Sequence, residues 1–410
     1  MQPPQNLADP SPTRRRIRFA DVSLSAVTAG LVAVAVSYAG PLLVVLGAAD
    51  AAGLSGEQTT SWVWAISVGS GTVCLVLSLL TRMPVVVAWS VPGAALLITA
   101  LGDYSYAEAV GAYIGAGVLG MVLGATGWFG KLMALIPRPI LSAVLAGVLL
   151  PFVLEAAGAV VAAPLVAGAL VATYLVARRA APKYAVLLAL LAGVAIAAVT
   201  GQMTPIPLVL DLSPVHWTTP VFTVQAFLGI AVPLLVVTMA GQNGPGLAMM
   251  QSSGYRPNDR LLLGASSAAS VVFAPFGAHA INLAAITAGI CSGREAHEDP
   301  ARRYVAGVSC GAFFLLFGAM GGPIVALLGA VPGELITAAA GVALLGALQG
   351  AVSGTLAPNG GGHGAGGQAA PEAALITLAV TASGIAPFGI VAPVWGTAAG
   401  LFAYLLLRRR

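Results

Sequence analysis

Apolar residues in this chain come in runs of about 20, recurring from Val22 to Leu407 and parted by short polar or glycine- and proline-rich breaks. Fourteen such segments are predicted, at approximately residues 22–46, 61–80, 84–101, 107–129, 139–156, 160–177, 184–200, 222–246, 261–274, 276–291, 303–325, 334–350, 372–385 and 388–407. Several are short, which fits broken or tilted spans. None alternates apolar and polar residues over ten positions, as a membrane barrel would require. The pattern predicts an all-α polytopic membrane protein of about 14 transmembrane segments.

Two segments break the pattern in the same way. Residues 83–99 read Met-Pro-Val-Val-Val-Ala-Trp-Ser-Val-Pro-Gly-Ala-Ala-Leu-Leu-Ile-Thr, and residues 275–291 place Pro275, Gly277, His279, Asn282 and Thr287 in an otherwise apolar run. The β-branched and aromatic stretch Val85–Trp89 favours extended chain. Ser90 can then cap a half-helix with Pro92 in its first turn. In the second stretch Asn282 is expected to cap a half-helix from Leu283 to about Cys291, with Ser90–Leu96 matching Ala280–Ile286. Short extended stretches are therefore expected in segments 3 and 10. The alternative is that the prolines merely kink ordinary helices.

Further matches pair the two halves in the same order. Val36–Gly40 resembles Val237–Gly241, and Ile136–Leu150 resembles Val331–Leu345. Each half then holds seven segments (22–200 and 222–407), and an odd count inverts the second relative to the first. Paired interrupted segments in inverted repeats point to a transporter's binding site. Half-helix N-termini converging near the midplane would attract an anion such as a carboxylate.

Charge sharpens the topology. With the N-terminus inside and fourteen crossings, all 18 Lys and Arg fall on the cytoplasmic side, with both termini there. The outer side keeps Asp50, Glu57, Asp103, Glu108, Glu155, Asp211 and Glu334. This distribution reads as topology determinants, so the net charge of +4 does not indicate nucleic acid. Only 8% of residues are charged and 58% are hydrophobic, far from a soluble chain. Residues 1–21 are expected to be a disordered cytoplasmic tail without a cleavable signal, 201–221 an outer linker between the halves, and 353–371 a cytoplasmic linker.

Candidate chemistry is sparse. Cys74, Cys291 and Cys310 lack metal-ligand spacing and read as buried small side chains. Gly115, Gly117 and Gly120 match a nucleotide-loop pattern but lie inside a membrane helix, where they read as helix packing. No enzyme, metal or cofactor is indicated. Gln242 and Asn243 are adjacent amides in an apolar span, costly unless bonded to substrate or broken backbone. Tyr38 stands at the matching break in segment 1. His279 is the histidine at membrane depth and the proton-coupling candidate; a structural hydrogen-bonding role is the alternative.

Val36–Pro41, Met83–Ala95, Val237–Asn243, Phe276–Thr287 and Ile290–His297 together resemble the bacterial benzoate–proton symporter family (BenE type). The resemblance implies the seven-plus-seven inverted repeat shared with uracil and xanthine permeases and sulfate-type transporters. Segments 1–4 and 8–11 would form a core, and 5–7 and 12–14 a gate. It implies proton-coupled uptake of benzoate or a similar aromatic carboxylate across the bacterial inner membrane by an elevator-like movement, with a homodimer as one arrangement. The substrate-binding set would be Tyr38, Trp89, Ser90, Gln242, Asn243, His279 and Asn282, with Tyr38 and Trp89 against the ring. Where nucleobase permeases carry glutamates, this chain has neutral amides, which suits an anion. The rival readings are a nucleobase or inorganic-anion transporter of the same fold, or an uncoupled anion channel.

Overall fold

The structure is a computed structural model that describes residues 21–129, 131, 136–204, 215–284, 286–356, 365–385, 387 and 392–407. The expected tail (apart from Asp21), the middle of the 201–221 linker, the arginine clusters 14–18 and 408–410, and residues 357–364 of the second linker lie outside the described residues.

The first half runs α1 (Leu24–Ala39), α2 (Pro41–Ala51), α3 (Gly56–Thr81), β1 (Val87–Trp89), α4 (Val91–Ala100), α5 (Tyr106–Thr126), α6 (Arg138–Ala162), α7 (Val166–Ala180) and α8 (Ala185–Val199). The second runs α9 (Val224–Ser252), α10 (Asp259–Phe273), β2 (Ile281–Leu283), α11 (Ile286–Ser292), α12 (Tyr304–Ala319), α13 (Gly321–Gly329), α14 (Gly333–Thr355), α15 (Ala365–Ala382) and α16 (Ala392–Leu407). Among the described residues six helices are long and apolar enough to cross a membrane. The pair α12–α13 adds a span bent by 69°. Large apolar side chains on the outside, such as Leu80, Leu175, Val176 and Phe402, suit contact with lipid.

Local chemistry sets the helix ends. Ser55 with Gln58, and Ser105 with Glu108, form capping boxes at the starts of α3 and α5. In α9 the backbone widens into π-helical turns at Phe227–Ala231 and Met239–Asn243, the second carrying both amides singled out above. Gly117, Gly120 and Gly124 on α5 form the packing seam expected of small residues: a Cβ at these positions would lie 2.8, 2.6 and 2.6 Å from Val271, Ser267 and Gly264 of α10.

The helices sort into two packed groups. One joins α1, α3, α5, α10, α11 and α12 around the two strands; the other joins α6, α7, α8, α14, α15 and α16. They meet where α4 and the second π turn of α9 touch α6, and where α2 touches α14.

Two expected linkers are more ordered than their composition suggests. Residues 215–223 are strapped down: Ser61 Oγ bonds His216 at both N–H (3.0 Å) and C=O (3.1 Å), and Val221 N–H donates to Ala107 C=O. Residues 365–371 belong to α15, so helix occupies part of the second linker.

Candidate functional site

Strands β1 and β2 pair antiparallel, with Val87 opposite Leu283, Ala88 opposite Asn282 and Trp89 opposite Ile281. Ser90 N–H donates to Ala280 C=O (3.1 Å) and Ala284 N–H to Val86 C=O (3.0 Å), which extends the ladder at both ends. Two short strands inside a membrane protein leave outer edges that lipid cannot satisfy. Side chains close them. On α3, Cys74 Sγ accepts from Val87 N–H (3.0 Å) and Ser78 Oγ accepts from Val85 N–H (3.1 Å). On α10, Ser270 Oγ accepts from Ile281 N–H (2.8 Å), and on α9 Asn243 Oδ1 accepts from Leu283 N–H (3.0 Å).

This geometry corrects two expectations. Leu283 lies in β2 and the helix starts at Ile286, so Asn282 does not cap it. The strands begin 281 − 87 = 194 residues apart and the half-helices 286 − 91 = 195 apart, so pairing Ser90 with Ala280 was several residues out of register. Runs of Ala, Leu and Ile match themselves at several shifts, and backbone pairing decides which is real. Asn282 is the counterpart of Ala88.

The polar side chains converge on Ser90. Its Oγ caps α4 by accepting from Gly93 N–H (3.0 Å) and also accepts from the Thr238 hydroxyl (2.8 Å). Its C=O lies 2.9 Å from His279 Nε2. His279 Nδ1 accepts from Trp62 Nε1–H (3.0 Å), which leaves the Nε2 hydrogen to point at Ser90. Asn282, turned so that its oxygen meets a donor, accepts from Ser90 N–H (2.9 Å) and donates to Leu283 C=O (3.2 Å). His279 and Asn282 are fully buried, and Asn243 is nearly so. The turn into His279 depends on Gly277: its φ is +110°, and a Cβ there would lie 2.9 Å from the Trp62 backbone.

Donors are left over in few places. In the first turn of α4, Pro92 has no N–H, and those of Gly93 and Ala94 are taken by Ser90. The Val91 N–H has no partner among the described residues. Gln242 is half-buried, and no hydrogen bond engages its side chain among the described residues. It follows Gly241, where a Cβ would lie 3.0 Å from Pro92 of α4 and 3.1 Å from Leu145 of α6. Trp89 packs edge-on against Tyr38 and Phe314, with 5.7 Å between ring centroids in each pair. Its indole N–H is buried without a partner. The Tyr38 hydroxyl is bonded to Ser67.

A family model described as benzoate membrane transport protein matches residues 20–406. The chain belongs to the benzoate membrane transport family. It is 39% identical over 387 residues to a benzoate membrane transport protein of Acinetobacter baylyi, covering 94% of this chain and 96% of the relative. It is 35% identical over 379 residues to the inner membrane protein YdcO of Escherichia coli, covering 92% and 95%. Among solved structures, the transmembrane domain of the cyanobacterial bicarbonate transporter BicA superposes with a TM-score of 0.58 at 17% identity, covering 94% of this chain and 98% of that one. That likeness shows a shared fold. The chain is thus a membrane transport protein built on this helical architecture.

In this family member the seven residues singled out from sequence divide into two sets. Ser90, Asn243, His279 and Asn282 form one network that holds the strand crossing. Tyr38, Trp89 and Gln242 lie beside it, and of these Gln242 and the Trp89 N–H have donors to spare. Sequence reasoning missed the strand braces Cys74, Ser78 and Ser270. Their signal was faint: a thiol and a hydroxyl one helical turn apart in α3, facing the β-branched run that follows. It also missed Arg303, counted only as a topology charge. Arg303 is buried, and its guanidinium donates to Ser292 C=O (2.9 Å), His297 C=O (2.7 Å) and Glu298 C=O (3.2 Å), closing the C-terminus of α11 with positive charge.

Proposed function

We propose that this protein is a secondary transporter that takes up benzoate or a similar aromatic carboxylate together with protons across a bacterial inner membrane. The observation that carries the proposal is Gln242: an amide with no hydrogen bond among the described residues, in a π-helical turn whose preceding residue, Gly241, packs on Pro92 of α4 and Leu145 of α6. The carboxylate is received there by the Gln242 amide and the Val91 N–H, aided by the positive end of α4. The aromatic cluster of Trp89, Tyr38 and Phe314 forms the neighbouring wall for the ring. Aromatic-acid transport is also what the name of the Acinetobacter relative states.

In this reading the chain crosses the membrane fourteen times in two inverted seven-segment repeats, with both termini cytoplasmic. The group around the strands is the core, the α6–α8 and α14–α16 group is the gate, and the core slides as an elevator. The separate packing of the two groups supports that division. Proton coupling is assigned to the transport cycle, and His279 to a bracing role within it. A proton added at Nδ1 would face the Trp62 N–H and break the bond that orients the ring.

The test is uptake of labelled benzoate by proteoliposomes with and without an inward proton gradient. Gradient-driven accumulation is expected. Equilibration without accumulation would replace the symporter with an uncoupled channel. Displacement of benzoate by uracil or bicarbonate at comparable concentration would move the substrate class.

A further inference from the structure

One cavity lies apart from the strand crossing. It sits between α4 (Leu96, Thr99), α6 (Val148, Phe152) and the facing ends of α15 and α16 (Pro393), with Asp103 at its rim, and holds about 110 Å³. Its walls are mainly apolar, and Leu96, Val148 and Phe152 are buried. Its position along the helices is informative. On α4 the lining begins at Ala95, about one turn past Val91; on α6 it begins at Gly147, two residues past Leu145. The contact of Pro92, Leu145 and Gly241 therefore lies at the inner end of the cavity, and Gln242 directly follows that contact in the chain. Thr99, Asp103 and Gly384 are the exposed residues of the lining, and Asp103, past the C-terminus of α4, marks the outer end in the topology proposed above.

We propose that this cavity is a first binding site for the aromatic acid, occupied before the acid passes the Pro92–Leu145–Gly241 constriction to reach Gln242. This rests on the substrate class and orientation assigned above. Three observations support it. An apolar cavity of roughly 150 Å³ encloses a benzene ring; this one, at about 110 Å³, is smaller and takes the ring in part, leaving the polar end toward water. The cavity is formed jointly by α4, which continues from strand β1, and by α6, α15 and α16 of the gate group, the surfaces that must part for the acid to advance. Thr381 supplies a hydroxyl in the same wall that is buried without a partner. Its oxygen lies over Gly396 while its methyl faces Gly147; one χ1 step of about 120° carries the hydroxyl to the place of the methyl, and the methyl to that of the Cβ hydrogen, which offers a donor to a carboxylate. Asp103 is solvent-exposed, where water and salt screen its repulsion of an arriving anion. The cavity thus recognises the ring more than the charge, and Asp103→Asn is expected to lower the KM for uptake about twofold.

The deciding experiment uses the full chain in proteoliposomes. Thr99 is exposed in the lining, so Thr99→Cys gives a reachable thiol, whereas Cys74, Cys291 and Cys310 are fully buried. Benzoate at concentrations that saturate uptake is expected to slow modification of the introduced thiol by a membrane-impermeant methanethiosulfonate at least fivefold. The same protection is expected when Gln242→Leu is added, because the cavity lies before that residue. Thr99→Phe, which fills the space, is expected to raise the KM at least tenfold with little change in thermal unfolding. Unslowed modification, or protection lost with Gln242→Leu, overturns the cavity as a separate site. Failure of the parent chain to take up benzoate sinks the transport reading instead, and protection observed without uptake still supports the cavity.

Discussion

The two half-helices at the strand crossing both follow a three-residue strand yet are built differently. In the first half, α4 is ten residues long, capped by its own Ser90 and stiffened by Pro92. In the second, α11 has seven residues, and its far end is closed by Arg303. The first half contributes the serine that is held; the second contributes most of the side chains that hold it, with His279 on the Ser90 C=O and Asn282 on the Ser90 N–H. A symmetric backbone thus carries an asymmetric division of labour. His279 and Asn282 of the second half brace the crossing, while the side chain of Gln242, also of the second half, takes no hydrogen bond among the described residues.

That contrast can be broken in graded steps. His279→Ala should have the largest effect. It leaves the Trp62 N–H and the Ser90 C=O short of partners and opens a cavity, so a loss of about 3 kcal/mol is expected, read as a lower unfolding temperature in detergent. Asn282→Leu should cost about 2 kcal/mol, because Ser90 N–H and Leu283 C=O each lose a partner; an unchanged melt with abolished benzoate binding would return Asn282 to direct substrate contact. Gln242→Leu should reverse the pattern. Uptake falls roughly tenfold, about 1.4 kcal/mol, while the melt moves little because no hydrogen bond within the protein is lost. Ser90→Ala removes the cap of α4 for about 1 kcal/mol, and calorimetry of the purified chain would show it. Trp89→Phe is the smallest change: the ring packing stays, the indole N–H has no partner to lose, and stability should hold within about 0.5 kcal/mol. A large loss of melt there would mean that the N–H is bonded in the folded protein.

Much of this architecture was legible in the residues. The hydrophobic runs set the positions of α3, α5, α6 and α14 closely, because a span must be apolar for its whole length. The break before Ser90 was legible because three consecutive valines, a tryptophan and a following serine–proline pair agree on strand, cap and helix. The second break was harder. Asn282 has the character of a cap residue, but its neighbours Ile281 and Leu283 suit a strand as well as a helix, and the choice was made by pairing with Val87–Trp89. The π turns of α9 gave no sequence signal beyond the two amides they carry.

The sequence alone determined that the chain lives in a bilayer and where its apolar runs are interrupted, since these follow from composition and spacing along the chain. Tertiary structure alone decided which polar residues brace and which remain free. Most buried donors and acceptors find a partner, and whether Cys74 meets Val87, His279 meets Trp62, or Gln242 meets nothing depends on how helices far apart in sequence come to lie against two three-residue strands.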